Sequence, residues 1–336
     1  MSGSIILSIV TFIYGVAGFF YICAWIFRKQ SLGKLATWIA IIGFVGNTVG
    51  IVMRWVESYQ LGIGHAPFSN LYESLVFFAW VIVLIYLIIE RQVGNRTIGA
   101  FATPIACLAM AYAALKPGIT SDIQPLIPAL KSNWLIAHVI TCFIGYASFA
   151  ISFGVSAMYL IKQGRDDEQI GWMVFVKPLV LFIFLLLFSR VLFVPNWLLA
   201  VIVALPICLV FYAVVFLARR IPADLKAGLL DKFPEPRVLD EVGYQLIVLG
   251  FLFLSIGIIT GAVWANSAWG RYWGWDPKEP WSLITWFIYA TLLHARMMRG
   301  WHGKRIAFLS IIGFAAVLFT YFGVNLLPGL HSYGAL

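Results

Sequence analysis

The residues in this chain with chemistry to offer are five histidines and a cluster of tryptophans. The histidines are His65, His138, His294, His302 and His331. An ionisable side chain within an apolar run is a functional candidate by default, and a neutral imidazole is a metal ligand. Six of the 14 tryptophans fall between Trp264 and Trp286, around the stretch Trp269-Gly270-Arg271-Tyr272-Trp273-Gly274-Trp275-Asp276-Pro277-Lys278-Glu279-Pro280-Trp281. An aromatic belt at a membrane interface accounts for Trp264 and Trp281 at the ends of apolar runs. It accounts less well for Trp269, Trp273 and Trp275, interleaved with Gly270 and Gly274. Indole faces pack against a flat π-system and exclude water, and glycine lets backbone approach closely. Asp276 and Glu279 offer acceptors, and Arg271 and Lys278 offer positive charge for ligand carboxylates. These features permit a tetrapyrrole without requiring one.

The elements that position these residues are membrane spans. Of 336 residues, 62% are hydrophobic and 11% charged, too few charges to coat a soluble domain. Several apolar runs exceed the length needed to cross a hydrocarbon core of about 30 Å. The fold class is therefore all-α, a polytopic transmembrane bundle of about ten spans. These are Ile5–Phe27, Leu35–Val56, Leu71–Glu90, Thr97–Leu115, Trp134–Ile161, Pro178–Phe193, Trp197–Ala218, Val242–Trp264, Trp281–Met298 and Arg305–Leu327. The first run is too long for a signal-peptide core and lacks a small-residue cleavage site, so it reads as a span.

Lys and Arg gather on one face of this topology, seventeen against five, with Arg190 inside a span. The positive-inside rule makes that face cytoplasmic and puts both termini and the loops 57–70, 116–133 and 265–280 outside. The net charge of +9 is thus a topology signal, and nucleic acid is excluded as a partner. Cys23, Cys107, Cys142 and Cys208 sit singly in apolar runs and form no CxxC pair, so they read as packing residues.

In this topology His138 lies one turn into its span on the tryptophan-loop side, and His331 in the external tail. Two histidines flanking an aromatic wall could clamp one iron, although an interface histidine with an ordinary hydrogen bond suits either position alone. His294 lies 13 residues after Trp281, about 20 Å deeper at 1.5 Å per residue, so it marks a second position or a polar packing contact. Asn70 and Glu73 read as a helix cap following His65, a structural segment and candidate lid. His302 sits in a basic loop and reads as solvated.

The pattern Trp269-Gly270-x-x-Trp273-x-Trp275-Asp276-x-x-Glu279 resembles the "WWD" signature of haem-handling cytochrome c biogenesis proteins. With the Gly64–Glu73 segment, the Trp134–Tyr146 stretch around His138 and nearly everything from Asp240 to Tyr333, the chain resembles the CcsA (ResC) family. That resemblance implies the membrane component of the System II cytochrome c synthase, a haem lyase complex. In it haem b is a non-covalently bound substrate, ligated on the outer face by the positions matching His138 and His331, with His294 at an inner site completed by a CcsB (ResB) partner. The haem is joined to the CxxCH thiols of an apocytochrome c in a bacterial inner membrane or a thylakoid. One membrane domain spans residues 1–336, with 64–336 as the assembly region and 178–218 as an extra transmembrane hairpin. The chain looks like the unfused form. Rival readings are a System I haem delivery chaperone similar to CcmC or CcmF, a b-type electron carrier, and a transporter of another amphipathic substrate.

Overall fold

A computed structural model describes residues 2–163 and 223–326. The spans read at Pro178–Phe193 and Trp197–Ala218, Arg190, Cys208 and His331 lie outside the described residues.

The described residues are helical, with no strand among them. In chain order the helices are α1 (Gly3–Phe27), α2 (Gln30–Gln60), α3 (Leu71–Val93), α4 (Gly99–Leu115), α5 (Asn133–Gln163), α6 (Ala223–Leu230), α7 (Pro236–Trp269), α8 (Lys278–Arg299) and α9 (Lys304–Tyr321). Six of them (α1, α2, α3, α5, α7 and α9) are long and apolar enough to cross a membrane. α4 is apolar but shorter, and α8 carries Lys278, Glu279, His294, Arg296 and Arg299. The helices overrun the apolar stretches that mark them in the sequence. α7 has 34 residues, about 51 Å of helix at 1.5 Å per residue, against a hydrocarbon core of about 30 Å. Hydropathy finds only the middle, so the projecting turns, which carry Asp240 and Trp269, lie beyond it.

Local sequence sets the boundaries. Asn70 caps α3 by accepting the Glu73 N–H at 2.8 Å, as the Asn70–Glu73 spacing suggests. Pro236 opens α7 at the first-turn position where its missing N–H costs nothing, and Gly270 closes it at φ 74°.

Small residues hold the bundle together, because helices in an apolar solvent gain from close approach rather than from hydrophobicity. On α2, Gly43, Gly46 and Gly50 receive Tyr14, Val10 and Leu7 of α1. The pairing of α5 with α7 is tighter. Gly145 lies against the backbone of Gly250 and Leu254, and Gly250 in turn receives the Phe149 ring. Phe149 stacks on Tyr289 of α8 with centroids 3.6 Å apart, and Gly313 of α9 leaves room for the same Tyr289 ring. Ser152 joins the Gly243 carbonyl and Ser310 at 3.2 and 3.0 Å, tying α5, α7 and α9 together.

Candidate functional site

His138 stands one turn into α5, against α7. Its Nδ1 lies 2.7 Å from the Gly257 carbonyl oxygen. A carbonyl only accepts, so Nδ1 carries the proton and donates. Nε2 is left with its lone pair and has no hydrogen-bond partner among the described residues. This is how metal-binding imidazoles are usually fixed, with one nitrogen anchored to the protein and the other presented. Two glycines make the contact possible. A Cβ on Gly261 would fall 2.7 Å from His138 Nδ1, and one on Gly257 would fall 2.6 Å from Cys142 Sγ. Gly257 and Gly261 are one turn apart and form a flat bed for the imidazole. Cys142 is buried against it, in keeping with a packing role.

Trp264 is 3% exposed and nearly parallel to the His138 ring, with an interplanar angle of 14° and centroids 6.2 Å apart. Its Nε1 donates to the Ala129 carbonyl, and its ring meets the edge of Trp269 at 4.9 Å. The belt reading of Trp264 misses this inward role; its spacing from the signature tryptophans was the available signal.

Beyond Gly270 the loop turns back over the bundle. Trp273 meets Trp275 edge-on at 5.9 Å. Trp275 adopts the left-handed backbone at φ 58° and is 73% exposed, so its indole projects from the loop. A bulky residue held there is strained, and such strain persists only where the surroundings impose it. Glu279 supplies part of that constraint. Its Oε2 accepts the N–H groups of Gly274 at 2.8 Å and Asp276 at 3.2 Å. Asp276 is buried, and its carboxylate lies 3.4 Å from the Lys278 N–H. The two acids read as ligand acceptors thus turn toward the loop's own backbone; Glu279 is a positioning residue. Arg271 is exposed and runs along Gly274.

Lys278 faces the other way. Its ammonium is close enough to His138 and Cys142 to act on both electrostatically. Burial pulls it below the ordinary lysine range, against the opposing pull of Asp276. A half-buried cation beside a presented imidazole suits a ligand with both a metal and a carboxylate.

A second layer covers this end of the bundle. Arg54 Nη1 donates to the Ser121 carbonyl at 2.6 Å, His65 Nε2 lies 3.0 Å from the Gln124 carbonyl, and Trp264 takes Ala129. The loop 116–132 is therefore strapped down by three side chains from three different segments. Arg54 is held in turn by Glu73 at 2.8 Å, both 2% exposed, and Glu73 also receives Ser69. The Gly64–Glu73 segment read as a lid thus anchors the loop above it.

His294 is not part of this assembly. It lies 16 residues along α8 from Lys278, about 24 Å away at 1.5 Å per residue, and is exposed on the surface of the bundle. His302 is at the far end of α8, 3.4 Å from the Asp240 carboxylate.

Comparison with known proteins places these features in a lineage. A family model described as cytochrome C assembly protein matches residues 68–331. Proteins called cytochrome c biogenesis protein CcsA align along most of the chain. The one from Synechococcus elongatus is 42% identical over 288 residues, covering 84% of this chain and 81% of the relative. Those from a Synechococcus sp. strain and from Pyropia yezoensis are each 38% identical over 314 residues, covering 90% and 91% of this chain and 87% and 89% of the relatives.

Proposed function

The chain belongs to the cytochrome c assembly family, among CcsA proteins that act in cytochrome c biogenesis, and from that premise we propose that it presents haem b at its tryptophan-loop end for covalent attachment to an apocytochrome c. The observation that carries the reading is His138, with Nδ1 fixed on the Gly257 carbonyl, Nε2 without a hydrogen-bond partner among the described residues, and its ring nearly parallel to Trp264. Nε2 ligates the haem iron from one face and His331 from the other. Filling both axial positions keeps oxygen off the metal. Trp269, Trp273 and Trp275 support the ring, and Arg271 and Lys278 take its carboxylates. The bond-forming groups belong to haem and to the acceptor's CxxCH thiols, so this chain contributes orientation, charge and exclusion of water. It works in the membrane with a CcsB/ResB-type partner, which completes the inner site at His294, with the tryptophan-loop end facing outward from a bacterial inner membrane or into a thylakoid lumen.

Absorption spectra of the purified chain, alone and with the partner, test this. The share of the b-type spectrum bound at the outer site should be lost in His138→Ala and in His331→Ala and restored by added imidazole. Haem that persists unchanged in both variants defeats the outer-site assignment. Supplied with a CxxCH peptide, the complex should convert it to a haem adduct; an electron carrier leaves it unmodified.

A further inference from the structure

The end of the bundle opposite the tryptophan loop holds a second constellation. Asp240, on the projecting first turns of α7, organises it. Its Oδ2 receives Arg296 Nη1 at 2.8 Å and stands 3.4 Å from His302 Nδ1, while Oδ1 accepts the Gly303 N–H at 2.8 Å. One carboxylate thereby fixes the hairpin 300–303 between α8 and α9. Gly300 and Gly303 adopt φ of 62° and 67°, and Gly303 lies so close to Tyr159 that a Cβ would collide with the phenol. The hairpin, the end of α5 and the start of α7 enclose an open cavity of about 870 Å³. That is within the range of pockets for ligands of a few hundred daltons, roughly 300–1,000 Å³.

The lining is specific in character. Tyr159 and Trp301 supply aromatic surface, Arg237, Arg299 and Arg305 supply cations, and His302 an imidazole. Asp240 is committed to Arg296, and Arg237 and Arg299 form no ion pair among the described residues. Arg305 lies over the Trp301 ring at 5.3 Å. Like charges gathered around a cavity repel unless an anion occupies it. The His302 geometry adds a second demand. With Nδ1 turned toward Asp240, Nε2 is the nitrogen left to bind, and this carboxylate–histidine order is the one that orients imidazoles toward metals.

We propose that this cavity is a loading site for an iron tetrapyrrole, ligated by His302 Nε2 and held through its carboxylates by Arg237, Arg299 and Arg305, a step before His294. The inference rests on the haem reading above. His294 lies five residues back along α8 from Arg299, a rise of about 7.5 Å, so the cavity sits at the same end of that helix as the next imidazole. An anionic lipid headgroup offers the same negative charge but neither iron nor an aromatic plane, and this difference separates the two sources.

The test uses the full chain in nanodiscs of zwitterionic lipid, with ferric haem and iron-free protoporphyrin IX as probes. The background carries His138→Ala, His294→Ala and His331→Ala, so that the remaining haem reports on the cavity. Adding His302→Ala should weaken haem binding about tenfold, one charge-assisted or coordinate contact, and leave the iron-free ring unchanged. Arg299→Gln with Arg305→Gln should weaken both probes. A single His302→Ala in the otherwise unaltered chain should slow haem uptake and covers the case where the multiple variant does not fold. The proposal is overturned if His302→Ala changes neither haem affinity nor uptake, or if the arginine changes alter only retention of added phosphatidylglycerol. Absence of any haem binding by the unaltered chain would sink the haem reading itself; binding that ignores His302 sinks the cavity alone.

Discussion

At His138 a single hydrogen bond decides which nitrogen is available, and the sequence shows only half of that arrangement. A histidine inside an apolar run marks itself, but its acceptor is a carbonyl 119 residues away on another helix. The glycines of its bed are equally silent, since glycine is common in membrane helices. Gly261→Ala should therefore behave as a site mutation. Its methyl falls 2.7 Å from the ring, and overpacking of this kind costs about 1–3 kcal/mol, about 5- to 150-fold in affinity where the ring is displaced from its binding position. Haem titration of the purified variant should show that loss while protein yield holds. Lys278 was legible as a charge near the signature, but its burial was not. Its ammonium is held below the ordinary range, so it loses its proton earlier on the alkaline side than a surface lysine does. A bound carboxylate favours the protonated form, so haem affinity should fall as pH rises through that range. Lys278→Arg should flatten the fall, and a titration series across alkaline pH will show whether it does.

Among the elements, the longest apolar stretches were readable, and six of the described helices are long and apolar enough to cross a membrane. Their ends were not readable, because polar residues outside the hydrocarbon continue the helix without an apolar signal. The clasp between α2 and α3 belongs to this hidden class: Arg54 reads as one more outer-face cation near the end of the Leu35–Val56 span, yet it is 2% exposed and paired with Glu73. Removing one partner leaves a buried charge alone, which costs about 3–5 kcal/mol. Glu73→Gln should lower thermal stability in detergent by an amount of that order, although the Asn70 cap bond survives because it uses the backbone N–H. The paired change Arg54→Met with Glu73→Leu should lose much less. Equal losses in the single and double variants would show that the pair is not the source.

For the whole molecule, the exposure of His294 has a consequence for assembly. A polar ring facing lipid is unfavourable, whereas the same ring at a helix–helix contact is a ligand in waiting. The chain purified with a CcsB/ResB-type partner should carry more haem per molecule than the chain alone, by pyridine haemochrome assay. His294→Ala should remove that increment and leave the His138-dependent haem in place. None of this was available from spacing: the sequence gives depth along a helix, while the direction a side chain faces depends on which neighbours pack where.

The strapped loop 116–132 is gripped through the carbonyls of Ser121, Gln124 and Ala129, and a peptide oxygen is the same whatever side chain its residue bears. The side chains at Ser121, Gln124 and Ala129 are consequently free to change without loss of the grip, while the three fingers that hold them, Arg54, His65 and Trp264, are not. Asp122 and Gln124, both exposed, are the natural places to mount a fluorophore: a dye there would ride over the proposed haem position and report its filling by quenching, without unfastening the cover.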